Sequence, residues 1–144
     1  MNKRFFIIAI IFAIFSVSAM AQLNGTEVKS PKEVMKVNNN AWVYETSRGY
    51  EIWANTDNMF DDGFNKINLG RTKEECLASL NDIMSICENA STVVVNQSTG
   101  TVTIMGFKID GKEIVFKEDE KYGSSCLKYR YIKKIVSYFE NNLK

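Results

Sequence analysis

The chain contains no histidine. That removes every Ser-His-Asp or Cys-His nucleophile pair, the HExxH zinc site and any histidine-driven pH switch. Proline is nearly absent, with Pro31 alone, and only 8 glycines interrupt the 144 residues. Neither sign of charge is in excess. The 18 Lys+Arg and 17 Asp+Glu leave a net charge of +1, which argues against a nucleic-acid partner, since such proteins usually carry a strong basic balance. The apolar fraction of 45% and the charged fraction of 24% are those of an ordinary soluble domain. The length allows one domain or two very small ones.

What is present begins with an address. Residues 1–21 read MNKRFFIIAIIFAIFSVSAMA. Lys3 and Arg4 make a positive start, Phe5 to Phe15 is an unbroken apolar run, and Ala19-Met20-Ala21 is an A-x-A cleavage signal. This is the pattern of a secretory signal peptide cut after Ala21. The run is shorter than the roughly 20 residues needed to cross a bilayer. No second long apolar stretch follows, so no membrane span is expected after cleavage. Cleavage takes Lys3 and Arg4 and no acidic residue, leaving 123 residues with a net charge of −1. The expected location is periplasmic or secreted, and the excess of Asn and Lys over Arg suggests a bacterial source.

Residues 22–40 read as a polar N-terminal arm. Ser30-Pro31-Lys32-Glu33 has the form of a capping box, so a helical turn over 31–37 or a loosely held arm is expected there. A single α+β domain should then fill 41–144. Ala41–Thr46 and Tyr50–Asn55, both aromatic and β-branched, flank Ser47-Arg48-Gly49 and predict a hairpin with a three-residue loop. Phe64–Leu69 reads as a third strand. A second capping box, Thr72-Lys73-Glu74-Glu75, opens a helix to about Asn89, with Cys76, Leu77, Leu80, Ile83, Met84 and Cys87 on one stripe. Strands over 92–97, 101–109 and 112–117 and an amphipathic helix from near Ser125 to about Asn142 complete the chain.

The expected fold is therefore α+β and two-layered, a mostly antiparallel sheet of about six strands with two helices on one face. The order βββα-βββα suggests an internal duplication of 41–90 and 91–144. Ser47-Arg48-Gly49 would match Ser98-Thr99-Gly100, and Cys76-Leu77 would match Cys126-Leu127.

Three cysteines in an exported protein predict one disulfide and one leftover thiol. Cys76 and Cys87 share a helix face at a separation of roughly 16 Å, too far to bridge. Antiparallel helices would place Cys87 beside Cys126, so the expected bond is Cys87–Cys126, with Cys76 buried and free.

No catalytic residue and no cofactor emerges from the pattern. Asp57, Asp61 and Asp62 cluster before Gly63, but their spacing does not match a calcium loop. Trp42, Tyr44, Tyr50 and Trp53 concentrate aromatics in the first hairpin. A three-residue loop would set Tyr44 against Ile52 in the core and leave Trp53 on the other face with Glu45 and Glu51. Trp53, Asp57, Asp61 and Asp62 are the expected contact surface. The function expected is a small exported binding module, of the inhibitor or envelope-accessory type, acting on an unidentified macromolecule, most simply a protein. The alternatives are a carboxylate-dependent extracellular hydrolase and a structural subunit assembling through a sheet edge.

Overall fold

In the computed structural model, which describes residues 30–58, 63–109 and 111–144, ten elements follow one another. They are β1 (Lys32–Lys36), β2 (Ala41–Thr46), β3 (Gly49–Asn55), β4 (Phe64–Gly70), α1 (Lys73–Asn89), β5 (Thr92–Gln97), β6 (Gly100–Phe107), β7 (Glu113–Glu118), β8 (Ser125–Lys128) and α2 (Tyr129–Asn142). Each half is an antiparallel meander of four strands closed by a helix. Strand order follows chain order in both sheets, β1-β2-β3-β4 and β5-β6-β7-β8. The α+β class and the order of strands then helix hold. The strands number eight in two sheets, against the six expected in one.

The two additional strands lie where a helical turn or loose arm, and the start of the last helix, were expected. Ser30-Pro31-Lys32-Glu33 opens no helical turn. Lys32–Lys36 pairs with β2, and Val34 and Met35 pack half-buried on the core. A single helical turn bears the full nucleation cost without further turns to offset it, whereas an adjacent strand offers a complete ladder. At the other end, Ser125–Lys128 pairs with β7 before α2 begins at Tyr129. Cys126 is thus a strand residue and not the counterpart of helical Cys76. The shared tripeptides also differ in position. Ser47-Arg48-Gly49 joins the second and third strands of its sheet, and Ser98-Thr99-Gly100 joins the first and second of the other.

Alternation along each strand decides what is buried. Val43, Ile52, Ile67 and Leu69 from the first sheet, and Val102, Ile104, Ile114, Phe116 and Leu127 from the second, all face the helices. Against them lie Cys76, Leu80, Ile83, Ile86 and Cys87 of α1 and Ile132, Ile135 and Phe139 of α2. These are largely the residues that the helical periodicity selects. The capping box at Thr72 and Glu75 forms as expected. The helices are antiparallel. Lys73 Nζ donates to the carbonyl oxygens of Glu140 and Leu143 at one end, and the Tyr129 hydroxyl donates to Glu88 at the other.

The sheets meet where β4 runs past the strand ends of the second sheet. Gln97 bonds β4 as a strand would: its Oε1 accepts from Asn68 N at 2.6 Å and its Nε2 donates to Lys66 O at 3.1 Å. Asn65, fully buried, donates to Gly123 O and Ser125 Oγ and accepts from Glu118 N. Ser125 Oγ lies within hydrogen-bond distance of the carbonyl oxygens of Ala54 and Asn55.

The expected Cys87–Cys126 bond is not formed, and all three thiols are free. Cys87 is buried on α1. Cys126 lies on β8 between inward-facing Ser125 and Leu127, so it points to the opposite, exposed face of its sheet. The helices are antiparallel, as the bond required, but Cys126 is on the wrong element to use that arrangement.

Candidate functional site

The first hairpin turns in two residues, Ser47-Arg48, with Thr46 paired to Gly49. Gly49 sits at φ +120°, where a Cβ would meet the Gly70 carbonyl oxygen at 2.2 Å. The register therefore moves by one residue from that of a three-residue loop. A shift of one flips the relation between the strands. Tyr44 lies opposite Glu51, and Trp42 opposite Trp53. Trp42 and Tyr44 are thus not core residues. They share with Trp53 the face of the first sheet that points away from the helices.

Two rows of side chains cross that face. One reads Lys36, Trp42, Trp53, Lys66, and the other Glu33, Tyr44, Glu51, Asn68. Phe64 joins them from β4. The Tyr44 and Trp53 rings lie 4.5 Å apart, Trp53 and Phe64 5.7 Å, and Trp42 and Phe64 6.0 Å. All four are half-buried, covered by one another and open outward. Lys66 Nζ sits 4.0 Å from the centre of the Trp53 ring, a cation–π contact.

Glu51 fixes this surface from within. It is 2% exposed although it lies on the open face. One carboxylate oxygen accepts from Arg48 Nε at 2.9 Å, the other from Trp53 Nε1 at 2.8 Å. Its charge is paired and its oxygens are engaged, so it holds an indole and a guanidinium in place and has no oxygen left uncommitted to a substrate. Beside the face opens a cleft of about 420 Å³ between β4 and the second sheet, lined by Lys66, Thr99, Thr101, Glu118 and Lys121 among others. Partial burial holds the Glu118 carboxyl above its ordinary range, and nearby Lys66 and Lys121 oppose that rise.

Of the expected contact residues, Trp53 belongs to this face. Asp57 does not. Its Oδ1 and Oδ2 accept from Ser124 N and Oγ at 2.8 and 3.0 Å, and its own N–H donates to Ser124 O, so it ties the exit of β3 to the approach of β8. Asp61 and Asp62 lie outside the described residues. Trp42, Tyr44 and Phe64, which are not among the expected contact residues, lie on this face with Trp53, and Arg48 is tied to it through Glu51. Gly49 at the end of its hairpin tripeptide marks the turn, but only its pairing to Thr46 settles the register. No group of three or more potential metal ligands occurs among the described residues, and no described helix is long and apolar enough to cross a membrane.

No family model matches this chain, and neither the curated proteins nor the solved structures contain a significant match to it.

Proposed function

We propose that this protein is an exported binding module that engages a protein partner through the open face of its first sheet. The observation that carries this reading is the cluster of Trp42, Tyr44, Trp53 and Phe64 on one sheet face, set by buried Glu51 with its partners Arg48 and Trp53, and edged by Lys36 and Lys66. Trp, Tyr and Arg are the side chains that dominate protein interfaces, and the two aromatics bury much area while losing little side-chain freedom on docking. Trp53 is pre-oriented by its hydrogen bond to Glu51, so little ordering cost remains for the encounter. The helices and the second sheet serve as the rigid support behind the face.

Capture of interacting proteins from an envelope extract of the source cell tests the reading. A stoichiometric protein should be retained by the wild type, with affinity reduced about 30-fold or more by Trp42→Ala, as for a central interface residue. Equal retention by the wild type and by both Trp42→Ala and Trp53→Ala would place the contact elsewhere.

A further inference from the structure

Each of the two sheets has two edges, and three of the four are guarded. β1 carries Lys32, Glu33 and Lys36 and a bulge between Glu33 and Met35. β4 is covered at Lys66 and Asn68 by the side chain of Gln97. β8 is four residues long and passes directly into α2. Charge, bulges, covering and shortness are the devices by which proteins keep sheet edges from pairing with other chains. β5 has none of them from Thr92 to Asn96, and only Gln97 at its end is tied across to β4. Its six residues, Thr92 to Gln97, hold no charge, no proline and no bulge, and no described strand lies beyond it. Val93, Val94 and Val95 are 38%, 62% and 37% exposed.

The exposure of Val93 and Val95 has a specific form. They lie opposite Ile104 and Val102, on the face of the sheet that is otherwise core. With Ile67, Ile83 and Ile86 they line a mainly apolar groove of about 400 Å³ bounded by β5, α1 and β4. The core of the second sheet is thus left open along β5.

We infer that β5 is a self-association edge, on which a second copy of this chain pairs its own β5 antiparallel to extend the second sheet across a twofold axis. The register follows from the hairpin. Gln97 and Gly100 close a two-residue turn and form a hydrogen-bonded pair. Bonding directions alternate along a strand, so the backbone groups of Thr92, Val94 and Asn96 point outward. These three positions are symmetric about Val94. A twofold axis there sets Val94 opposite Val94, Thr92 opposite Asn96 and Val93 opposite Val95. The outward backbone groups are then paired in both directions. Valines that close the groove lie against valines, and no like charges oppose each other because the strand has none. The interface is isologous and closes at two copies. It is separate from the aromatic face, so a dimer would display that face twice.

Sedimentation of the purified protein over a wide range of concentration tests this, in reductant so that exposed Cys126 cannot link chains. The wild type is expected to shift from one chain mass to two and no further. Val94→Pro removes the outward N–H at the axis without touching a bond to β6, and Val94→Lys sets two ammonium groups against each other there. Both should remain at one chain mass with an intact circular-dichroism spectrum. Should Val94→Pro fail to fold, Val94→Lys still decides the matter. A wild type that is monomeric throughout, or that pairs this edge only with a peptide from another protein, overturns the inference. So does a dimer that survives both substitutions.

Discussion

Trp53 donates its indole N–H to the carboxylate of Glu51, 2.8 Å away and two residues back along the same strand, while Arg48 holds the other oxygen. A carboxylate that is 2% exposed is tolerable only because both oxygens are engaged. Glu51→Ala should therefore be destabilising, by about 1–3 kcal/mol for the partners left unsatisfied, read as a lowered chemical-denaturation midpoint. Glu51→Gln should cost less, since it keeps an oxygen for the indole or for Arg48. It should also broaden the near-ultraviolet signal of the tryptophans. Identical midpoints for wild type and Glu51→Ala would show that this pair does not order the face.

Much of the fold was legible and the open face was not, for one reason. Helix stripes such as Leu80-Ile83-Cys87 and Ile132-Ile135-Phe139 carry their own period, so burial follows from local spacing. Strand faces do not fix themselves in this way. Trp42 and Tyr44 alternate correctly with Ala41 and Val43, but either set can be the inner one until the partner strand is registered. The small Ala41 and Val43 face the helices, and the large aromatics face outward. Size and hydrophobicity pointed the wrong way, and a turn shorter by one residue decided the outcome. β1 and β8 were hidden by a different conflict. The proline-led capping pattern before β1 and the apolar-polar run into α2 are valid local signals that strand pairing overrides.

Asn65 is the keystone of the junction between the sheets. Its amide serves three partners from elements 53 to 60 residues away in sequence, and it is fully buried. Asn65→Ala should orphan the Glu118 N–H and the Gly123 carbonyl and lower stability by about 1–3 kcal/mol for each group left unpaired. Asn65→Asp should be no better, because it sets a carboxylate oxygen against the Gly123 carbonyl oxygen. Thermal unfolding checks both. Because the lesion lies at the junction, hydrogen exchange should rise first at the strand ends near Gln97, Glu118 and Ser125.

Gly106 marks the closest approach of the second sheet to the end of α1. A Cβ there would sit 2.0 Å from the Ile86 carbonyl oxygen, and both contacts that follow are also backbone. Gly106 N donates to Ser91 O at 2.8 Å, so β6 cannot simply withdraw. Gly106→Ala should cost about 1–3 kcal/mol by overpacking, whereas Gly100→Ala, with open space around it, should cost only the strain of its φ of +130°. Comparing the melting temperatures of the two variants separates crowding from backbone strain.

Cys126 is the exposed thiol of the three, yet it should react slowly. Its Sγ donates to Glu113 Oε2 at 3.2 Å, and partial desolvation together with that carboxylate pushes its pKa up to about 11. Alkylation proceeds through the thiolate. Labelling of Cys126 followed by mass spectrometry should thus accelerate steadily from neutral pH towards pH 11. Glu113→Gln should speed it at neutral pH by removing the carboxylate's share of the shift. Rapid labelling of the wild type at neutral pH would mean that the Glu113 contact does not hold the thiol protonated.

Glu118 gives a pH dependence with a definite sign. Desolvation raises its pKa above the ordinary carboxylate value, with Glu51 adding to the rise and Lys66 and Lys121 opposing it. A carboxyl whose folded pKa is raised binds its proton more tightly in the folded chain than in the unfolded one. Its contribution to stability is fully present below the unfolded pKa of about 4.3 and is lost as the pH rises through the folded value. At neutral pH the ionised group therefore disfavours folding. Glu118→Gln, neutral at every pH and of the same shape, should raise the melting temperature at pH 7. That advantage should shrink as the pH falls and vanish below about pH 4. Melting curves of the two proteins over that range make the comparison. If Glu118→Gln lowers the melting temperature at pH 7, attraction to Lys66 and Lys121 outweighs desolvation, and the cleft favours a charged carboxylate over a neutral one.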